Sequence, residues 1–317
     1  MVIWSNGYQG RTTIAVPSTA TYKGIDYNVT SIGTQAFINC RKATSITIPD
    51  GVTSIGNYAF ESCNVLGDFT IPQSVTSIAE GAFAYCTKLT NISIPQGIKS
   101  IENLTFRACG LTSIVIPNGV ESIGAGAFDA CGKLTDITIP ESVTSIGGNA
   151  FAFCSSLKSI HIPDKVTSVK RETFRDCKSL TEINIPAGVT DIESGAFMGC
   201  EGLTKIYIPA GITAIGSSAF AGCKVLGMID IPVGIRSIEE YVFSGCENLS
   251  AISIPASVSS IGSGAFGRCT KLKDVTFLQQ DPPNFASASF PADVTTIYVP
   301  LGCTAKYLPF TQEDAVL

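Results

Sequence analysis

Few residues in this chain could do chemistry. His161 is the one histidine among 317 residues, so any imidazole-dependent mechanism must use it. Asp230 shares its position within a repeating pattern but falls three repeats later, about 14 Å away at the spacing of paired strands and too far for a dyad. Glu182 is one repeat on and could approach His161, yet no nucleophile with an activating partner accompanies them. Ser159, two residues before His161, is one of many serines. Glu239 and Glu240 are adjacent rather than spaced for general acid and base work. Apart from Gly147-Gly148 the glycines occur singly, and they form no phosphate-cradling loop. These residues point away from catalysis, so the chain reads as a non-enzyme with no cofactor.

Cysteine is the other reactive type. Of twelve cysteines, eleven recur at 40, 63, 86, 109, 131, 154, 177, 200, 223, 246 and 269, each three residues after a phenylalanine. Repeats stacked at strand spacing would align them in a column about 4.8 Å apart. We read them as buried free thiols, small and weakly polar. In a disulfide scheme each cysteine would have two equivalent neighbours and nothing to select between them. A metal site is not expected, because no His or second Cys sits at ligand spacing.

The spacing of those cysteines leads to the elements that must carry them. Every step is 23 residues except one of 22, where Cys109-Gly110-Leu111 lacks a residue that Cys86-Thr87-Lys88-Leu89 keeps. A fixed period of this size means stacked units sharing one continuous core. Most units open L-x-x-I-x-I-P. In 89–95, Ile92 and Ile94 alternate with Asn91 and Ser93, as in a half-buried strand that proline then ends. Pro49-Asp50-Gly51 and Pro117-Asn118-Gly119 fit a type I turn. A short apolar-polar-polar-apolar segment follows, such as Val143-Thr144-Ser145-Ile146, predicting a very short second strand or bend. The unit closes with G-x-x-A-F-x-x-C, where Phe151 and Cys154 are spaced for a single helical or 3₁₀ turn aiming both inward. The phenylalanines predict a stacked aromatic spine.

The array reads as one domain: a capping segment at 1–29, eleven units of 22 or 23 residues over 30–277, and a distorted C-terminal cap at 278–317. Charged residues are 15% of the chain and the net charge is −5, without the basic stripe that nucleic acid binding needs. No run approaches the roughly 18 apolar residues of a membrane span. The opening Met1 to Asn6 lacks the basic end and apolar run of a secretory signal.

The consensus L-T-x-I-x-I-P-x-x-V-T-S-I-G-x-x-A-F-x-x-C resembles the leucine-rich repeats of BspA-like bacterial surface proteins across roughly residues 30–277. The resemblance implies an α/β-type repeat solenoid, a right-handed coil whose first strands form a parallel concave sheet. It also implies secretion or surface display, and adhesion to a host or neighbouring-cell protein or glycan. Leu308-Pro309-Phe310-Thr311 approaches a sortase motif but continues with Gln312 instead of glycine. On the outward positions of the first strands most residues are Thr or Ser, which suit an exposed strand. His161, Glu182, Asn184, Lys205, Tyr207, Met228 and Asp230 differ, bringing ionic, amide and aromatic groups to four consecutive repeats. They are the candidate ligand patch of a chain expected to act as a monomer without membrane insertion. Two alternatives stay open, a structural spacer and an intracellular scaffold for a partner protein.

Overall fold

The computed structural model describes residue 8 and residues 10–307; the opening Met1 to Asn6 and the 308–311 tetrapeptide lie outside the described residues. The chain is a parallel-strand solenoid with almost no helix, and it divides into two compact units, Met1–Lys165 and Val166–Leu317.

In the first unit, the L-x-x-I-x-I-P segments supply one row of short strands. Thr13–Ala15 pairs with Ser45–Thr47, Phe69–Thr70 with Ile92–Ser93, and Ser113–Val115 with Asp136–Thr138, all parallel. The inward residue of each strand meets its equivalent, as Ile114 meets Ile137. The second segments form their own parallel ladders, Ser31–Ile32 to Ser54–Ile55 to Ser77–Ile78 and Ser100–Ile101 to Ser122–Ile123 to Ser145–Ile146. An antiparallel hairpin, Thr19–Tyr22 with Ile25–Asn28, precedes them.

The second unit repeats this plan. Glu182–Asn184 pairs with Lys205–Tyr207, and Ala251–Ile254, Asp274–Phe277 and Thr296–Tyr298 form a three-stranded ladder. Residues 228–230 form no strand. A four-residue helix, Thr304–Tyr307, seats Tyr307 against Phe277 and donates its hydroxyl to the Gln279 carbonyl at 3.0 Å.

The core is the predicted spine. From Phe37 to Phe151 consecutive rings stack with centroids 5.2–5.7 Å apart. In the second unit the rings from Phe174 to Phe266 stack in the same way, and Phe290 extends the column at 4.8 Å. All twelve cysteines are free and buried. In the first unit Cys63 Sγ donates to the Phe37 carbonyl at 3.2 Å and Cys131 Sγ to the Phe106 carbonyl at 3.0 Å. Cys200 makes the same bond to Phe174 in the second unit at 3.1 Å.

The segment carrying Phe and Cys is built differently from a helix. Ala36, Ile38 and Cys40 donate to the carbonyls three residues earlier, as a 3₁₀ turn requires. The residues between them, Gln35, Phe37 and Asn39, donate instead to Asn57, Ala59 and Glu61 of the next coil. The left-handed conformation of Gln35 (φ 56°) and Asn39 (φ 58°) flanks the phenylalanine on both sides and breaks helical continuity. Phe and Cys still face inward, and the wall gains a ladder that joins successive coils.

Candidate functional site

Strand alternation determines what the first-strand row can offer a ligand. With the isoleucines drawn inward, the residue before and the residue between them must point out. The Glu182–Asn184 and Lys205–Tyr207 strands follow this rule: Glu182, Asn184, Lys205 and Tyr207 are exposed, Ile183 is buried and Ile206 is half-buried. The parallel register sets Glu182 opposite Lys205 and Asn184 opposite Tyr207. Among the described residues no ion pair joins Glu182 to Lys205, so both charges remain available to a partner. Tyr207 is 69% exposed, a rigid ring held out from the sheet. Met228 and Asp230 lie on the next coil, both exposed and Met228 77% so, but off the ladder.

His161 stands in the first unit and is engaged there. Its Nε2 lies 2.7 Å from Glu141 Oε1, while the Asp164 backbone N–H donates to Glu141 Oε2 at 3.4 Å. The bond from His161 holds the Glu141 carboxyl below its ordinary value, against a smaller opposing effect of desolvation. Sequence reasoning missed Glu141. Glu141 sits 20 residues back, just after the proline that ends the preceding strand, a spacing that matches no whole repeat.

Most of the cysteine column is chemically quiet; the exception is Cys40, whose thiol is lowered by its hydrogen bond with Cys63 against a smaller opposing effect of burial. Burial pushes Cys131, Cys223 and Cys269 up to about 12, so their thiols stay protonated at neutral pH and poor as nucleophiles. Elsewhere in the second unit, Lys170 pairs with Glu193 at 3.0 Å, and Glu201 pairs with both Lys178 and Lys224. These exposed pairs tie coil to coil. Among the described residues no helix is long and apolar enough to cross a membrane.

Parallel ladders repeated every 22 or 23 residues, around a core built chiefly of leucine, isoleucine and phenylalanine, define a leucine-rich-repeat protein. The model of the BspA type leucine rich repeat region matches over residues 19–134, 99–225 and 190–291, and the chain belongs to that family. Its structure is similar to a leucine rich cell surface protein from Faecalibacterium prausnitzii, with 26% identity, a TM-score of 0.61, and coverage of 96% of this chain and 92% of that one. The fold is shared with a leucine-rich repeat protein from Eubacterium ventriosum at 21% identity, covering 90% of this chain and 87% of that one (TM-score 0.50). It is shared too with the pneumococcal vaccine antigen PcpA at 19% identity, covering 99% and 90% respectively (TM-score 0.52). No curated protein matches the sequence.

Proposed function

We propose that this chain is a secreted or surface-displayed protein that acts as a monomer and recognises a protein of a host or neighbouring cell. Residues 1–29 and 278–317 cap its repeat array. The observation that carries the reading is the register of Glu182 with Lys205 and Asn184 with Tyr207, which concentrates an acid, a base, an amide and an aromatic ring on two adjacent strands. None of these groups is needed by the core. Tyrosine is a strong interface anchor because its rigid ring buries area at small entropic cost. Met228 and Asp230 flank this patch, while His161 is tied to Glu141. The cell-surface description of the Faecalibacterium protein, 26% identical over 96% of this chain, supports the location.

The test is a binding screen of the purified chain against matrix proteins and mucins, with Tyr207→Ala and Thr47→Ala alongside. Loss of more than about 1 kcal/mol on Tyr207→Ala, with Thr47→Ala unchanged, is the expected result. Equal effects from the two substitutions would remove the patch. A blank across the panel would favour the spacer reading, in which the repeats only hold another module away from a surface.

A further inference from the structure

The last coil of the second unit is shorter than the one before it. Val275 pairs with Ile297, so the two mark the same place in successive coils. Phe266 precedes Val275 by nine residues, and the buried Cys269 and Leu272 lie between them. Phe290 precedes Ile297 by only seven, with Pro291 and Val294 between them and no cysteine. The aromatic column continues, Phe290 stacking on Phe266 at 4.8 Å, but the thiol and leucine of the regular coil have no full counterpart. Neighbouring side chains close such a shortfall only in part. A cavity of about 180 Å³ lies there, walled by Val275 and Phe277 on one coil and by Phe290, Pro291, Val294 and Ile297 on the next.

We infer that this cavity is a binding site for a small, uncharged molecule carrying a single aromatic ring. No charged side chain lines it among the described residues. The hydrogens of its two side-chain hydroxyls are committed elsewhere. Ser289 Oγ donates to the Ala286 carbonyl at 2.7 Å, and the Tyr307 hydroxyl donates to the Gln279 carbonyl at 3.0 Å. What faces the cavity is therefore chiefly hydrocarbon and aromatic ring. A water needs roughly two to four polar partners to settle in such a space, so an apolar guest displaces little that is well held.

Size and wall chemistry narrow the class. A cavity of about 150 Å³ lined by leucine, isoleucine and phenylalanine takes up benzene. The space here holds one ring with a short substituent, and it is smaller than the roughly 300–1,000 Å³ of sites for larger ligands. The walls favour an aromatic guest over an aliphatic one. Phe277 meets Phe285 and Phe290 edge-on, with centroids 5.8 and 6.2 Å apart, and Tyr307 tilts against it at 5.2 Å. A further ring among these four gains edge and face contacts that an alkyl chain lacks. Ala286 and Ala288 line the exposed side and are too small to close it. The site is separate from the patch around Tyr207 and does not rest on the protein-recognition reading.

The experiment is NMR titration of the whole chain with toluene, and with benzoate as a charged ring of similar size. Saturable shifts of the 285–290 and 294–297 amides by toluene are expected, with a Kd on the order of millimolar or tighter. Benzoate should bind about tenfold more weakly or worse, because its carboxylate would lose water and find no partner. Ala286→Phe places a ring in the mouth and should weaken toluene binding by about tenfold or more. Val294→Phe fills the space from the 291–297 side and should do the same, so the test survives if one variant fails to fold. Tyr207→Ala should bind toluene like the parent, which separates this site from the patch. Absence of saturable toluene shifts, shifts confined to other residues, equal binding of benzoate, or unchanged binding in a folded cavity variant overturns the proposal. Binding that appears only with Phe310→Ala would make the chain's own Phe310 the occupant, and would overturn it as well.

Discussion

Phe carbonyls along the core column, such as those of Phe37, Phe106 and Phe174, accept twice, once from a backbone N–H and once from a thiol. The Phe174 carbonyl takes the Cys177 N–H at 3.2 Å and the Cys200 Sγ at 3.1 Å. Cysteine suits this position because it fills apolar space and still offers a weak donor. Buried threonines solve the same problem differently: Thr105 Oγ1 and Thr173 Oγ1 each donate at 2.8 Å to the carbonyl three residues earlier. The rings between these carbonyls are fully buried and stacked on both sides, as Phe197 is with Phe174 and Phe220. Phe197→Ala should therefore cost about 3–5 kcal/mol, the usual loss for a buried ring that leaves a cavity. Phe197→Leu should cost less, because it keeps most of the volume. Urea denaturation of both variants checks the order. A Phe197→Ala protein that unfolds with the parent would contradict the common core.

Elements differ in how plainly the sequence announces them. Strands were legible because alternation is a period-two signal that proline terminates, and Ile92 and Ile94 are buried while Asn91 and Ser93 are exposed. The Phe-bearing wall was legible only in which residues it buries. A spacing of three between Phe151 and Cys154 fits a helical turn equally well, and nothing marks the left-handed positions, which hold Tyr58 and Ser62 in one coil and Gly195 and Gly199 in another. Corner glycines, by contrast, follow from close packing. A Cβ on Gly147 would lie 2.5 Å from the Ala125 backbone nitrogen, so the two coils would have to separate. Gly147→Ala should cost about 1–3 kcal/mol as an overpacking change. Gly10→Ala, with nothing within 4 Å, should leave the melting temperature unchanged. Thermal melts of the two variants test the contrast.

For the whole molecule, cysteine content and the proposed surface display look incompatible until burial is considered. A chain with twelve cysteines in an oxidising exterior would ordinarily cross-link. Here every thiol is buried, and those at Cys131, Cys223 and Cys269 are raised to about 12, while the hydrogen bond with Cys63 lowers Cys40 at the start of the column, so the thiolate needed for exchange is scarce along most of it. Stability then comes from the stacked core and not from covalent staples. The melting temperature should be the same with and without dithiothreitol. In Ellman's assay the native chain should react slowly, and all twelve thiols should react once it is denatured. Prolonged exposure to diamide before denaturation should leave that count unchanged. Fewer reactive thiols after diamide, or a melt lowered by the reductant, would mean that disulfides form in the folded array. The cysteine column would then be a redox-dependent part of the structure.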